Sequence, residues 1–289
     1  MPIMTKRGNR PPVGQGIPYV FGFGMPKCGT TTLAAMLGMH SGVALHSQKE
    51  PGDFLLPAYQ LSGVPSGYRV TSSTRYLLDF TTQYGVRGNR ERFYSNLASN
   101  HLVDCSRVIL CLKDPSLLAS SYMRHMLLRG HLSFEKHRRE LIRDVLAACD
   151  FRGAVQFLSQ RFAEGSVFVV RFDDLICDDR QEQVVQEIFS WLSLRPHPIG
   201  EKCWENATSV ADRYPLGLGK LAARVRRTST VRNMSPVLTN RIRRALSVPV
   251  DRSLDVVDSV SWSSYAEIAD AACLYGSISS GPLSATFRP

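Results

Sequence analysis

The chain has 289 residues and a formal net charge of +10. That length suits one substantial α/β domain and needs no second. No apolar run approaches a membrane span, and the seven cysteines are scattered without paired spacing, which argues against a disulfide framework and for reduced thiols.

Residues 1–16 carry Lys6, Arg7 and Arg10 among three prolines, and read as a flexible arm rather than a signal peptide. An apolar strand is expected over 19–23. It runs into Gly24-Met25-Pro26-Lys27-Cys28-Gly29-Thr30-Thr31-Thr32, and a helix should begin there. Strand, glycine-bounded loop and helix start together make an anion cradle, because backbone N–H groups and the positive end of a helix dipole converge. A capped helix after a tight turn is the plainer reading of the same residues. The Gly24 to Gly29 spacing matches the nucleotide P-loop, but Thr30 stands where its lysine belongs, which weakens an ATPase, GTPase or kinase reading.

A short strand is expected over 42–45, then Lys49-Glu50-Pro51-Gly52-Asp53-Phe54, then a strand over 68–72. The β-rich run 107–112 ends at Lys113-Asp114-Pro115, and a helix over 116–128 carries Ser121 eight residues after Lys113. A fifth strand is expected over 166–171 and a helix over 181–192. This alternation predicts a mostly parallel sheet flanked by helices, with ligands at the carboxyl ends of the strands. On these assignments Lys27, Glu50, Tyr76 and Lys113 gather on that one edge. From Arg213 to Arg244 there are nine Lys or Arg and no acidic residue. No nucleic-acid-binding motif accompanies them, so a solvated face or a rim attracting an anion is expected, with no nucleic-acid partner.

Several segments resemble sulfotransferases that use 3′-phosphoadenosine 5′-phosphosulfate (PAPS). Pro26 to Leu33 is similar to their P-K-[ST]-G-T-T-x-L loop, with Cys28 at the small hydroxyl position. Lys113-Asp114-Pro115 with Ser121 is similar to their R-[DN]-P and following serine, with lysine for arginine. Lys49 to Phe54 resembles the K-E-P-x-x-F segment of carbohydrate-type and bacterial members. Thr71 to Leu77 is similar to E-K-[ST]-P-x-Y-[FL], with Ser72 in place of a lysine that approaches the transferring group. Val167 to Leu175 resembles an architectural strand, and Asn206 an asparagine that opens a late loop.

The resemblance implies a P-loop-like α/β sulfotransferase domain over 17–262, followed by an extension over 263–289. It implies PAPS as donor, 3′-phosphoadenosine 5′-phosphate (PAP) as product, and no metal. Lys27, Cys28, Gly29, Thr30, Thr31 and Thr32 would bind the 5′-phosphosulfate end, and Lys113 and Ser121 the 3′-phosphate. Lys27 would also stabilise the leaving oxygen, and Glu50 would be the base, with Asp53 and His46 as rivals. Arg75 is a candidate to replace the missing lysine. The acceptor would be a hydroxyl, or second an amine, of a glycan or small molecule, and the enzyme bacterial and cytoplasmic. A small-molecule kinase and a non-catalytic nucleotide- or nucleic-acid-binding protein are the alternative readings.

Overall fold

A computed structural model describes residues 16–128, 134–199, 257 and 260–283. Asn206, the basic run 213–244 and the arm up to residue 15 lie outside them. The strands are β1 (Tyr19–Gly24), β2 (Val43–Leu45), β3 (Tyr76–Phe80), β4 (Arg107–Leu112), β5 (Val167–Arg171) and β6 (Gly281–Pro282). The helices are α1 (Thr30–Leu37), α2 (Arg90–Ser99), α3 (Pro115–Leu128), α4 (Phe134–Ala148), α5 (Phe151–Arg161), α6 (Phe172–Ile176), α7 (Asp178–Trp191) and α8 (Ala266–Ser277).

One sheet runs in the order β2-β3-β1-β4-β5-β6. The first five strands are parallel, and β6 is antiparallel to β5. β1 has β3 on one side and β4 on the other. Its carboxyl end is therefore the switch point at which open α/β sheets bind ligands.

Alternation along β1 sorts its side chains between two faces. Tyr19, Phe21 and Phe23 point into an aromatic layer with Phe54, Tyr84, Phe93 and Phe157. Each fully buried ring there contributes about 2–3 kcal/mol by area. The opposite face of β1 lies under α1, with glycine at position 22. A Cβ on Gly22 would fall 2.4 Å from the Phe80 ring, so glycine lets β3's aromatic side chain lie flat against β1.

The third strand differs from its expected position. Residues 68–72 form a loop whose only β contact among the described residues is a bridge between Tyr68 and His46, and the strand is Tyr76–Phe80. The reason is burial. Residues 77–80 are all buried, and Leu77 pairs with Tyr19 in the middle of the sheet. Asp79 interrupts that apolar run and hides the strand. Its charge is tolerated because two hydroxyls meet it. In consequence Arg75 and Tyr76 stand at the amino edge of the sheet. The Tyr76 hydroxyl donates to the Leu192 carbonyl at 3.0 Å, and the Arg75 N–H donates to the Gly42 carbonyl at 2.7 Å.

Residues 263–283 pack on the same body. β6 completes the sheet beside β5, and α8 buries Ile268, Ala271, Leu274 and Tyr275. The segment after β5 provides the clamp: the Tyr275 hydroxyl donates to Asp173 at 2.7 Å, the Ser280 hydroxyl to Asp174 at 2.6 Å, and the Arg171 guanidinium lies 4.4 Å from the Tyr275 ring centre.

Candidate active site

The loop from Gly24 to Gly29 lies at the carboxyl end of β1. The Met25 N–H donates to the Cys111 carbonyl at 2.7 Å, so the loop is tied to β4 as it leaves the sheet. Gly29 caps α1 at φ 77°, in the left-handed region that favours glycine. A Cβ there would also press on Phe172 at 3.1 Å and Leu175 at 3.2 Å. No side chain caps α1, and its first turn holds no acidic residue. The first N–H groups therefore have no intrahelical partner and no acidic residue of their own turn beside them, which suits an anion.

The threonines divide. Thr31 is half-buried and Thr30 is 6% exposed, and both line the groove described below; Thr32, also 6% exposed, does not. Cys28 is fully buried and its thiol donates to the Pro26 carbonyl at 3.6 Å. Burial pushes that thiol well above its ordinary range. The Cys28 side chain thus packs in the core, where an apolar surround suits a small polarisable thiol, and only its backbone is left to face a ligand. Lys27 is half-buried and sits at φ 66°, a costly conformation of the kind that clusters at functional sites.

Lys113 follows β4 directly. Its Nζ lies 4.4 Å from the centre of the Phe172 ring, and that same ring packs against Gly29. One aromatic side chain therefore separates the ammonium from the loop, and the two segments, far apart in sequence, are neighbours. Asp114 accepts from the Leu117 N–H at 2.9 Å and caps α3, with Pro115 at its first position. Ser121 is half-buried, about two turns along α3.

On the other side of the loop, a groove of about 200 Å³ opens between α1 and the segment after β2. Ala34, Ala35, Leu45, Leu78 and Phe80 supply its apolar lining, and Thr30, Thr31, His46, Lys49 and Glu50 are among its polar ones. Glu50 has φ 55° and Gly52 φ 69°, so the chain turns back sharply onto the end of β3. Two adjacent threonines hold that turn. The Gly52 N–H donates to Thr81 Oγ1 at 3.0 Å, and the Thr82 hydroxyl donates to Glu50 Oε2 at 3.4 Å.

Geometry ranks the three candidate bases. Glu50 shares the groove with Thr30 and Thr31. Asp53 begins the turn Asp53–Leu55 and faces Tyr59 and Tyr19 in the aromatic layer. His46 lines the groove, but its Nδ1 is engaged by the Gln48 N–H at 3.0 Å and its ring packs edge-on against Tyr68.

No family model matches the chain, and no curated protein matches it. Solved structures do. A sulfotransferase from Alicyclobacillus acidocaldarius superposes with a TM-score of 0.52 at 18% identity, over 76% of this chain and 98% of that one. The sulfotransferase domain from the curacin biosynthetic pathway gives 0.50 at 14% identity, over 90% of this chain and 97% of that one. The chain has a sulfotransferase fold.

Within a sulfotransferase fold, the end of β3 can be read again. The segment matched to E-K-[ST]-P-x-Y, residues 71–77, stands at the wrong edge of the sheet. The same spacing of acid, hydroxyl and tyrosine recurs in Asp79-Phe80-Thr81-Thr82-Gln83-Tyr84, which leaves β3 at the site. Phe80, the second residue of that run, lines the groove. Arg75, at the opposite edge, does not replace that lysine. The signal was present in the sequence, but the charge of Asp79 inside an apolar run concealed it. Among the described residues no group of His, Cys, Asp or Glu could hold a metal ion, and no helix is long and apolar enough to cross a membrane.

Proposed function

We propose that this protein transfers a sulfuryl group from PAPS to a hydroxyl, or second an amine, of a carbohydrate or small-molecule acceptor. The reading rests on one observation: Lys113 and the open N-terminus of α1 meet across the Phe172 ring. Two separated cationic and N–H-rich turns then suit the two ends of one bisphosphorylated nucleotide. The residues present fit PAPS, because the first turn of α1 carries no acidic residue and its first N–H groups have no intrahelical partner.

The donor, when bound, supplies the sulfuryl group. Thr30, Thr31 and the N–H groups of Gly29 and Thr32 hold its 5′-phosphate. Lys113 and Ser121 hold the 3′-phosphate; lysine supplies charge without the bidentate fork of arginine. Lys27 stabilises charge on the departing oxygen. Glu50 accepts the acceptor's proton as the oxygen attacks. The apolar lining at Leu45, Leu78 and Phe80 receives the body of the acceptor. The donor and the reduced cysteines suit a cytoplasmic enzyme. The domain spans 17–262, and the segment after it braces β5.

Calorimetry with PAP tests the reading. The wild type binds, and Lys113→Ala weakens binding by about 10- to 100-fold, the worth of a hydrogen bond to a charged group. Binding of ATP with Mg²⁺ but not of PAP would instead make the protein a kinase.

A further inference from the structure

We infer that Asp79 is a positioning residue for the proposed base: through Thr81 its carboxylate fixes the turn that carries Glu50. The inference rests on the sulfuryl-transfer reading for the role of Glu50, but the link itself is visible in the fold.

A carboxylate 1% exposed in a strand with both faces buried is costly unless its oxygens are satisfied. Both are. Thr81 Oγ1 donates to Oδ1 and the Tyr84 hydroxyl to Oδ2, each at 2.7 Å. A threonine hydroxyl has one proton. Because Thr81 gives its proton to Asp79, its lone pairs stay available to the Gly52 N–H, 3.0 Å away. The carboxylate thus sets the direction of the chain from Gly52 through Thr81 to Asp79. The next residue, Thr82, gives its hydroxyl to Glu50. Thr81 and Thr82 therefore grip the turn at both ends, and Asp79 orients the firmer grip.

Protonating Asp79 would make one of its oxygens a donor and could reverse the bond to Thr81 or to Tyr84. The Thr81 oxygen has two lone pairs and can accept from Asp79 and Gly52 together, but its proton then loses the carboxylate that fixed its direction, and the bond that the Gly52 N–H makes to it weakens. Burial pushes the Asp79 carboxyl up to about 7, against the two hydroxyls, which lower it. The groups facing it are Tyr84 from the turn after β3, Tyr19 on β1, Tyr59 and Tyr68 from the loop before β3, and Asp53 and Glu50 on the turn itself. The tyrosines are pushed further from ionisation, and Asp53 and Glu50 push Asp79 the same way as burial.

The test reads the Gly52 amide of the full chain by NMR across pH 5–8, with PAP affinity and PAP release from PAPS measured beside it. In the wild type the Gly52 signal shifts with a midpoint near 7, where burial puts the Asp79 carboxyl. In Asp79→Asn the signal is flat, PAP affinity is kept, and turnover with an acceptor found by screening falls about 10- to 100-fold, as for a misplaced catalytic group. Thr81→Val breaks the link while keeping the Asp79 side chain, and reproduces both changes; Thr81→Ser recovers the wild-type signal. If Asp79→Asn fails to fold, the two Thr81 variants decide. A Gly52 amide that ignores pH in the wild type, or full turnover in Thr81→Val, overturns the inference. Wild-type protein that fails to bind PAP overturns only the sulfuryl-transfer reading, and the Gly52 titration still judges the Asp79 link.

Discussion

The two halves of the site are built differently. The half at the ends of β1 and β4 uses backbone: an uncapped helix start, a left-handed glycine and two lysines that directly follow, or lie just beyond, their strands. The half at the ends of β2 and β3 uses side chains from separate segments, in which Asp79, Thr81 and Thr82 hold a turn some thirty residues earlier. The first suits a donor common to many enzymes, because phosphate recognition by N–H groups is general. The second is where the groove takes its own shape, with Phe80 in its apolar lining.

Glu50→Gln separates the halves most sharply. PAP affinity stays, and PAP release from PAPS with acceptor falls by about 10²- to 10⁴-fold, the usual worth of a general base. Full activity in that variant would remove Glu50 from its role. Gly85→Ala tests the scaffold on which the second half rests. A Cβ there would fall 2.0 Å from the Phe23 carbonyl oxygen, and backbone cannot yield as a flexible side chain does. Thermal or urea unfolding should show a loss of about 3 kcal/mol or more.

Asp79 gives a signature of opposite sign to an ion-paired carboxylate. Its folded value, about 7, lies above the ordinary 3.8. Between those values the native state binds more protons than the unfolded chain, so stability falls as pH rises through that window. The slope reaches at most about 1.4 kcal/mol per pH unit from this group, and Asp79→Asn should remove it in urea titrations at a series of pH values. Cys28→Ser should matter least. Its hydroxyl can donate to the Pro26 carbonyl as the thiol does, so the cost stays near or below about 1 kcal/mol and PAP affinity is kept. A large loss of PAP binding would return that side chain to the ligand.

Much of the first half was legible in the sequence. Lys27, Gly29, Thr30 and Thr31 lie in one contiguous strand-loop-helix unit, and Lys113 follows a plain apolar run. Tyr76 and Arg75 were misplaced because a charge inside β3 broke the pattern by which buried strands are recognised. That the Cys28 side chain turns into the core was not legible, because a loop's sequence does not tell which of its side chains turns inward. The strand at 281–282 is two residues long and carries no periodic signal; it pairs with β5 at the end of a segment whose helix, α8, packs against α3 and α5.

Residues close along the chain determined the anion cradle, since helix dipoles, left-handed glycines and N–H groups are set by a few consecutive dihedrals. Tertiary structure decided which carboxylates lie beside the groove and behind it. A buried charge survives only where distant groups supply its hydrogen bonds, so Asp79 acquired its partners, and Glu50 its place beside the groove, only when β2, β3 and the turns after them came together.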